Sequence, residues 1–432
     1  MNNVKRKKIL VLAYCISPIR GSEYSVAWNY VTEMSANNDL IVLYGAAGDH
    51  MGDIDEIQSL TEQGKIKNVE FIAVNPNSLS RLLNSTNRSG LIPYSFYLAY
   101  KNWHKQAYTV AKNIIRQTEI DLVHFLCPIG YREPGYLWGL NKPYIWGPIG
   151  GVQNPPLKLA FKASIATGLK VLIKSSINTL QFNHSPRIKN AFHKADLILS
   201  ATSATKELIR QKHGIETICF PENAITNQML ISQKTINVNS GDTINLIWVG
   251  RIDSNKSLSL LIESLSLIKE KNWHLYVIGD GPLKKPLSFL AEQLGIEKNI
   301  TWTGNIQRNK VNYYYSIAHI HSITSLAEGN PTVIWEAMSH GIPTITLDHC
   351  GMHDTVCDQC GVKIEISTYD KIIKEYGMHL EELIESPEKI NRLSEGVNKC
   401  VEKFTWEKRV QLWTNLYDLA IQKRQKKNLM QE

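Results

Sequence analysis

The chain has 432 residues, 43% hydrophobic and 20% charged, which is enough for two or three domains with sizeable cores and excludes wholesale disorder. Its seven cysteines (15, 127, 219, 350, 357, 360 and 400) are scattered and odd in number, which argues for reduced thiols in the cytosol and against a disulfide framework. The net charge of +8 is one-sided, since residues up to Ile225 hold 25 Lys+Arg against 16 Asp+Glu while the remainder holds 23 against 24, and such a field points to an anionic partner surface.

Lys5-Arg6-Lys7-Lys8 followed by Ile9 to Cys15 imitates a secretion signal. The apolar run is short and Tyr14 is too bulky for a cleavage position, so a first β-strand over 8–13 is expected instead. It leads through the loop Pro18-Ile19-Arg20-Gly21-Ser22-Glu23 into a helix near 25–35. That loop either presents backbone N–H groups to a ligand or makes an ordinary βα turn. Asp53-Ile54-Asp55 has the form of an Asp-x-Asp metal motif, but its polar, helix-like setting favours a solvated face. A strand over 121–124 ends at His124, which is either structural or turned toward a ligand crevice. Trp146-Gly147-Pro148-Ile149-Gly150-Gly151 is expected as a strand-end turn whose glycines permit close backbone approach.

Between Pro134 and Ala195 there are eight basic residues and no acid, and between Phe71 and Thr118 six and none. Within the first stretch, Lys158-Leu159-Ala160-Phe161-Lys162 and Leu169-Lys170-Val171-Leu172-Ile173-Lys174 fit either an anionic leaflet or packed helices with solvated lysines. The polar stretch 221–242 marks a domain boundary. No run of about 18 apolar residues exists, so no transmembrane helix is expected.

In the second half strands and helices alternate. A strand over 245–249 precedes Gly250-Arg251-Ile252-Asp253-Ser254-Asn255-Lys256 and a helix from about 257. Strand 275–278, helix 283–294, strand 300–303, helix 309–318, strand 319–323, helix 331–340 and strand 343–347 follow, and a terminal helix over 406–426 carries Leu412, Leu416 and Leu419 on one face. This alternation predicts an α/β fold with parallel sheets and ligands at the strand carboxyl ends. Gly279-Asp280-Gly281-Pro282 is a sharp strand-to-helix turn that lacks the third glycine of a dinucleotide fingerprint. No Walker-type phosphate loop is present.

The densest chemistry lies in Glu328-Gly329-Asn330-Pro331-Thr332-Val333-Ile334-Trp335-Glu336. Asn330 can cap a helix there, Pro331 suits its first turn and Gly341 closes it. The free N–H groups and dipole of that helix start form an anion site, with one carboxylate at the mouth and another about a turn and a half inside. An Arg fork and a Lys point charge on the 250–256 loop suit a diphosphate. Cys350, His353, Cys357 and Cys360 raise the question of zinc, but a second Cys-x-x-Cys is lacking and no metal is expected.

Gly250-Arg251-x4-Lys256 after a strand, Gly279-Asp280-Gly281-Pro282 and Glu328-x7-Glu336, in this order, resemble retaining family-4 glycosyltransferases of the GT-B fold. Gly21-Ser22-Glu23 and Trp146 to Gly151 resemble members that build bacterial surface polysaccharides, lipopolysaccharide or capsule. The resemblance implies two Rossmann-like domains with parallel sheets facing across a cleft: 1–225 on the acceptor side, 226–405 binding a nucleotide-sugar donor, and a terminal helix, 406–432, returning to the first. It implies retention at the anomeric carbon and no required cofactor or metal. Carried over, Arg251 and Lys256 bind the diphosphate, Glu328 contacts the donor sugar and Glu336 accepts the ribose hydroxyls. Gly250 and the backbone N–H groups around Asn330 to Thr332, on either side of Pro331, assist the phosphates, with Gly21 opposite. His124 matches a first-domain histidine, but Leu126 stands where many members carry a second, so Arg132 or another residue of Gly130-Tyr131-Arg132-Glu133 takes that role, with Gly150 and Gly151 on the acceptor side. The partners implied are a nucleotide sugar, a glycan or lipid-linked acceptor and the inner face of the cytoplasmic membrane, and no nucleic acid. A nucleotide-sugar epimerase and a non-catalytic nucleotide-sugar-binding subunit stay open as alternatives.

Overall fold

The computed structural model describes residues 6–21, 23–45, 54–92, 94–163, 165–269 and 272–430. Contacts divide the chain into two compact units, one of Met1–Val152, Thr179–Asn223 and Glu407–Glu432, the other of Gln153–Asn178 and Ala224–Trp406.

The first unit is built on β1 (Lys7–Ala13), β2 (Asn38–Gly45), β3 (Val69–Val74), β4 (Leu122–Cys127), β5 (Tyr144–Ile149), β6 (Leu197–Ser200) and β7 (Ile218–Cys219). They pair in parallel in the order β3-β2-β1-β4-β5-β6-β7. From Ile9 to Ala13, β1 is buried without a break, as is all of β4, which is why these central strands read as continuous apolar runs. β5 takes in Trp146 to Ile149, residues expected in a turn. Gly147 makes this possible: its φ is +123°, and a Cβ there would lie 2.4 Å from Leu199 O on β6.

The terminal helix, Trp406–Leu429, lies in the first unit. Its buried face is Trp413, Leu416, Tyr417 and Ala420, whereas Leu412 is exposed, so the seam is rotated from the leucine stripe toward the aromatic residues. Arg424 Nε and Lys427 Nζ hold buried Asp196 at 2.9 and 3.1 Å. Asp55 belongs to the helix Ile54–Glu62, while Asp53 and Ser22 lie outside the described residues.

The second unit carries β8 (Ile244–Val249), β9 (Trp273–Ile278), β10 (Ile300–Gly304), β11 (Ile320–Ile323), β12 (Thr344–Leu347) and β13 (Gly361–Ile364), all parallel, in the order β10-β9-β8-β11-β12-β13. The helix Leu258–Ser266 buries Leu258, Leu261, Ile262 and Leu265, the face its spacing predicts. Residues 153–178, placed with the first domain from sequence, group here. Lys162 Nζ lies 3.3 Å from Asp370 Oδ1 and 5.9 Å from the Tyr369 ring centroid, so its charge is matched by an acid distant in sequence.

Candidate active site

Strand order in the second sheet reverses between β8 and β11, so the loops leaving their carboxyl ends border one crevice. After β8, Asp253 Oδ1 accepts from the N–H groups of Asn255 and Lys256 at 3.0 Å each, and Ser257 takes a left-handed φ of 46° before the next helix. Three bonds stitch this loop to the one after β11. Asn255 Nδ2 donates to Ala327 O at 3.0 Å, Leu326 N to Asn255 O at 2.8 Å, and Thr324 Oγ1 to Lys256 O at 2.8 Å.

The stitching brings Lys256 Nζ to 2.5 Å from Glu328 Oε1, with the two side chains 23% and 16% exposed. Arg251 is 74% exposed, and its nearest acid is Asp253 Oδ2 at 3.9 Å. A cation and a carboxylate from separate motifs therefore meet at the crevice, and Arg251 belongs to the same loop as that cation. Behind them, burial and the charge of Lys256 push His321 down to about 3, so it is a neutral core residue hydrogen-bonded to Thr344 Oγ1 at 3.1 Å.

The β11 loop enters the helix Thr332–Ser339. Pro331 occupies the N-cap without a side-chain cap bond, and Ile334 N returns to Pro331 O at 3.1 Å. The helix thus starts one residue later than expected, and Asn330 is not its N-cap; Asn330 Oδ1 accepts from Thr355 Oγ1 at 3.5 Å. Gly341 closes the helix as expected, with φ +73° and space for no side chain, since a Cβ would lie 1.9 Å from Lys234 O. Within the helix, Glu336 Oε2 accepts from Tyr315 OH at 3.1 Å, and the Tyr315 ring stacks on His340 at 5.2 Å. Tyr315 comes from the helix Arg308–Ile317 and carries no local sequence signal.

Beside Arg251 a cavity of about 520 Å³ runs between the ends of β8, β9 and β10, lined by Gly250, Gly279, Asp280, Asn305 and Ile306 among others. The Gly279 turn is structural, because a Cβ at Gly279 would meet Gly250 O at 2.0 Å and one at Gly281 would meet Ile252 O at 2.3 Å. The β9 loop can thus lie directly against the β8 loop.

In the first unit, the expectation for His124 needs correction. It is fully buried, Nε2 lies 2.9 Å from Gly147 O, and Nδ1 lies 3.2 and 3.3 Å from the hydroxyls of Tyr30 and Tyr417. Burial lowers its pKa to about 4, so it is a neutral core histidine that ties the terminal helix to the sheet. Arg132 is half-buried, with its guanidinium 5.6 Å from the Tyr131 ring centroid, in a loop anchored by the ion pair of buried Glu133 with half-buried Arg187. Gly150 bridges to Gly130, its N–H donating to Ile129 O at 2.7 Å, and Gly151 follows with φ +71°, so Arg132, Gly150 and Gly151 share the end of β4 and β5. Gly21 is exposed at the end of β1. The sequence places Glu23 in a family-like motif but assigns it no role, and its carboxyl is raised above its ordinary range by burial and by Glu222.

The set Cys350, His353, Cys357 and Cys360 is not brought together. His353 Nδ1 lies 2.6 Å from Asp348 Oδ1, and the thiols that do gather are Cys357, Cys360 and Cys400. Among the described residues no helix is long and apolar enough to cross a membrane.

Residues 232–399 match the family model described as glycosyl transferases group 1. The chain is 30% identical over 159 residues to the lipopolysaccharide 1,6-galactosyltransferase of Escherichia coli K12, covering 36% of this chain and 43% of that one. Matches to other curated relatives span between 33% and 61% of their length. Among solved structures, the lipopolysaccharide outer core galactosyltransferase WaaB in apo form aligns with TM-score 0.63 and 18% identity over 92% of this chain and 95% of that chain. HepE of Anabaena in complex with UDP and glucose aligns with TM-score 0.59 and 15% identity over 96% and 100%. Residues 232–399 are thus a segment of the group 1 glycosyltransferase type, within an α/β chain whose two parallel sheets match the GT-B fold.

Proposed function

We propose that this chain is a retaining family-4 glycosyltransferase that moves a sugar from a nucleotide-sugar donor to a glycan or lipid-linked acceptor in bacterial surface-polysaccharide assembly. The observation that carries this reading is the pairing of Lys256, from the loop that also holds Arg251, with Glu328, from the loop that enters the helix Thr332–Ser339. The match to a lipopolysaccharide galactosyltransferase supports the pathway. The UDP and glucose held by a protein of the same fold are consistent with the donor class.

In this reading the base occupies the cavity beside Gly250 and Arg251, and the ribose hydroxyls donate to Glu336, whose carboxylate Tyr315 orients. The diphosphate lies against Arg251, Lys256 and the helix start at Pro331 and Thr332. As the bond from the anomeric carbon to the phosphate oxygen breaks, negative charge grows on the diphosphate where these groups are already aimed. Glu328 holds a sugar hydroxyl, and its pairing with Lys256 fixes both side chains before the donor arrives. The acceptor oxygen bonds to the same face of the anomeric carbon, and its proton passes to the leaving phosphate. Arg132, Gly150 and Gly151 border the acceptor. The positive charge comes from protein groups, so no added divalent metal or cofactor is required.

The enzyme is assigned to the cytoplasm, peripheral on the membrane's inner face. The helix Ile165–His184 exposes Ile165, Leu169, Ile173, Ile177 and Leu180 at helical spacing, with Lys170 and Lys174 exposed alongside, which suits an anionic leaflet. Incubation with a panel of labelled nucleotide sugars and polyprenyl-linked acceptors tests the assignment. Transfer with release of nucleotide supports it, whereas isomerised sugar nucleotide identifies an epimerase and binding without turnover a non-catalytic subunit.

A further inference from the structure

The turn Cys357-Asp358-Gln359-Cys360 joins the helix Cys350–Thr355 to β13, and Cys360 N donates to Cys357 O at 2.9 Å. Cys357 N also donates to Cys360 Sγ at 3.2 Å, aiming that sulfur back over the turn. Against it lies the helix Pro387–Val401, so close that a Cβ at Gly396 would be 1.7 Å from Gln359 O. Cys400 is four residues along that helix, on the same face, and therefore overhangs the turn. Cys357 Sγ is 3.4 Å from Cys360 Sγ and 3.4 Å from Cys400 Sγ, and all three sulfurs lie within 4.8 Å of one another.

We propose that Cys357, Cys360 and Cys400 form a binding site for a thiophilic d10 cation, Zn²⁺, with solvent as fourth ligand. Two thiolates on a tetrahedral zinc at about 2.3 Å each stand about 3.8 Å apart, so the two pairs at 3.4 Å need to open by only a few tenths of an ångström and the third, within 4.8 Å, to close by at most about 1 Å. Cys360 and Cys400 are buried, which supplies the closed side of the site, and half-buried Cys357 opens it to one water. Three soft thiolates with no carboxylate in the set select zinc or Cu(I) over Mg²⁺, Ca²⁺ or Mn²⁺. Three thiolates and Zn²⁺ leave one net negative charge, and Lys403, three residues beyond Cys400, is placed to offset it.

The site bears on the donor helix through packing. Cys360 and Cys400 share a core cluster with Ile334, Trp335 and Met338, which lie on the buried side of the helix Thr332–Ser339. A bound ion clamps the Cys357 turn to the Pro387–Val401 helix and stiffens the layer beneath Glu336.

The test uses the full chain, prepared reduced and metal-free, and titrated with Co²⁺ and then Zn²⁺. One Co²⁺ per chain is expected, with thiolate-to-cobalt charge-transfer absorption in the near ultraviolet that Zn²⁺ abolishes, and the thermal midpoint should rise on Zn²⁺ addition. Cys357→Ser, at the half-buried position, should retain the circular dichroism of the reduced metal-free wild type and lose the absorption band. Cys400→Ser should lose it too, and Cys219→Ser, outside the cluster, should keep it. Absence of the band in fully reduced wild type, or its persistence in Cys357→Ser, overturns the site.

Discussion

Replacing either cation of the crevice should damage turnover, but only one replacement should also damage the fold. Arg251 is 74% exposed and its ion pair with Asp253 is long, 3.9 Å, so Arg251→Ala removes a charge that contributes little to the fold. Lys256 is 23% exposed and 2.5 Å from Glu328 Oε1, itself 16% exposed, so Lys256→Ala strands a largely buried carboxylate. Removing one partner of a buried ion pair costs about 3–5 kcal/mol, and with these side chains 23% and 16% exposed about 2 kcal/mol is the expected loss for Lys256→Ala. In a unit of this size that lowers the thermal midpoint by about 4–8 °C. Both variants should lose transfer by about 100-fold, as removal of one transition-state charge stabiliser typically does. Glu328→Gln in the Lys256→Ala background should recover most of the stability and none of the activity, because the stranded charge is gone while the phosphate clamp is still incomplete. Urea unfolding and kcat/KM with any accepted donor, run as a double-mutant cycle, separate the two effects. Near-normal turnover in both single variants refutes the phosphate assignment. Additive stability changes in the double variant refute the ion pair.

The two glutamates should fail differently in calorimetry: Glu336→Gln weakens free nucleoside diphosphate binding, with Tyr315→Phe acting the same way but less strongly, whereas Glu328→Gln spares that affinity and reduces transfer. Gly351→Ala would place a Cβ 1.7 Å from Gly329 O, so a loss of about 1–3 kcal/mol in stability is expected together with weaker donor binding, and an unchanged melting curve would contradict the packing. Burial holds His104, His124 and His321 down to about 3, 4 and 3, so the stability each gives as neutral imidazole is complete above about pH 6.5 and falls by up to about 1.4 kcal/mol per pH unit as pH drops toward those values. Urea midpoints that stay flat between pH 7 and pH 5 would be inconsistent with that burial. Wild type should sediment with anionic vesicles, less so in high salt, while a Lys170→Gln, Lys174→Gln variant stays largely in solution; equal partitioning removes the helix Ile165–His184 from the membrane account.

What the sequence discloses of this site is what local chemistry can encode. β8 and β9 are largely apolar runs that stop at Gly250 and Gly279, and a run followed by a turn residue declares a strand end without help from the rest of the fold. The alternation of strands and helices predicts a parallel sheet, whereas the strand order, and with it the reversal between β8 and β11, is visible only in the structure. Pairings made by tertiary structure left no such trace. Tyr315 reaches Glu336, Cys400 reaches Cys357 and Asp370 reaches Lys162 across helix faces whose rotation no local pattern sets. His124 shows the same limit from the other side: a histidine ending an apolar strand looks poised toward ligand, yet Tyr30 and Tyr417 enclose it from two different helices. Gly351 is the sharpest instance. It sits inside the helix Cys350–Thr355, where a glycine weakens the element and signals nothing by itself. Its constraint belongs to another segment, the Gly329 carbonyl that passes where a side chain would be. That carbonyl lies one residue from Glu328, so a position silent in its own neighbourhood fixes how far the Glu328 loop descends onto the sheet.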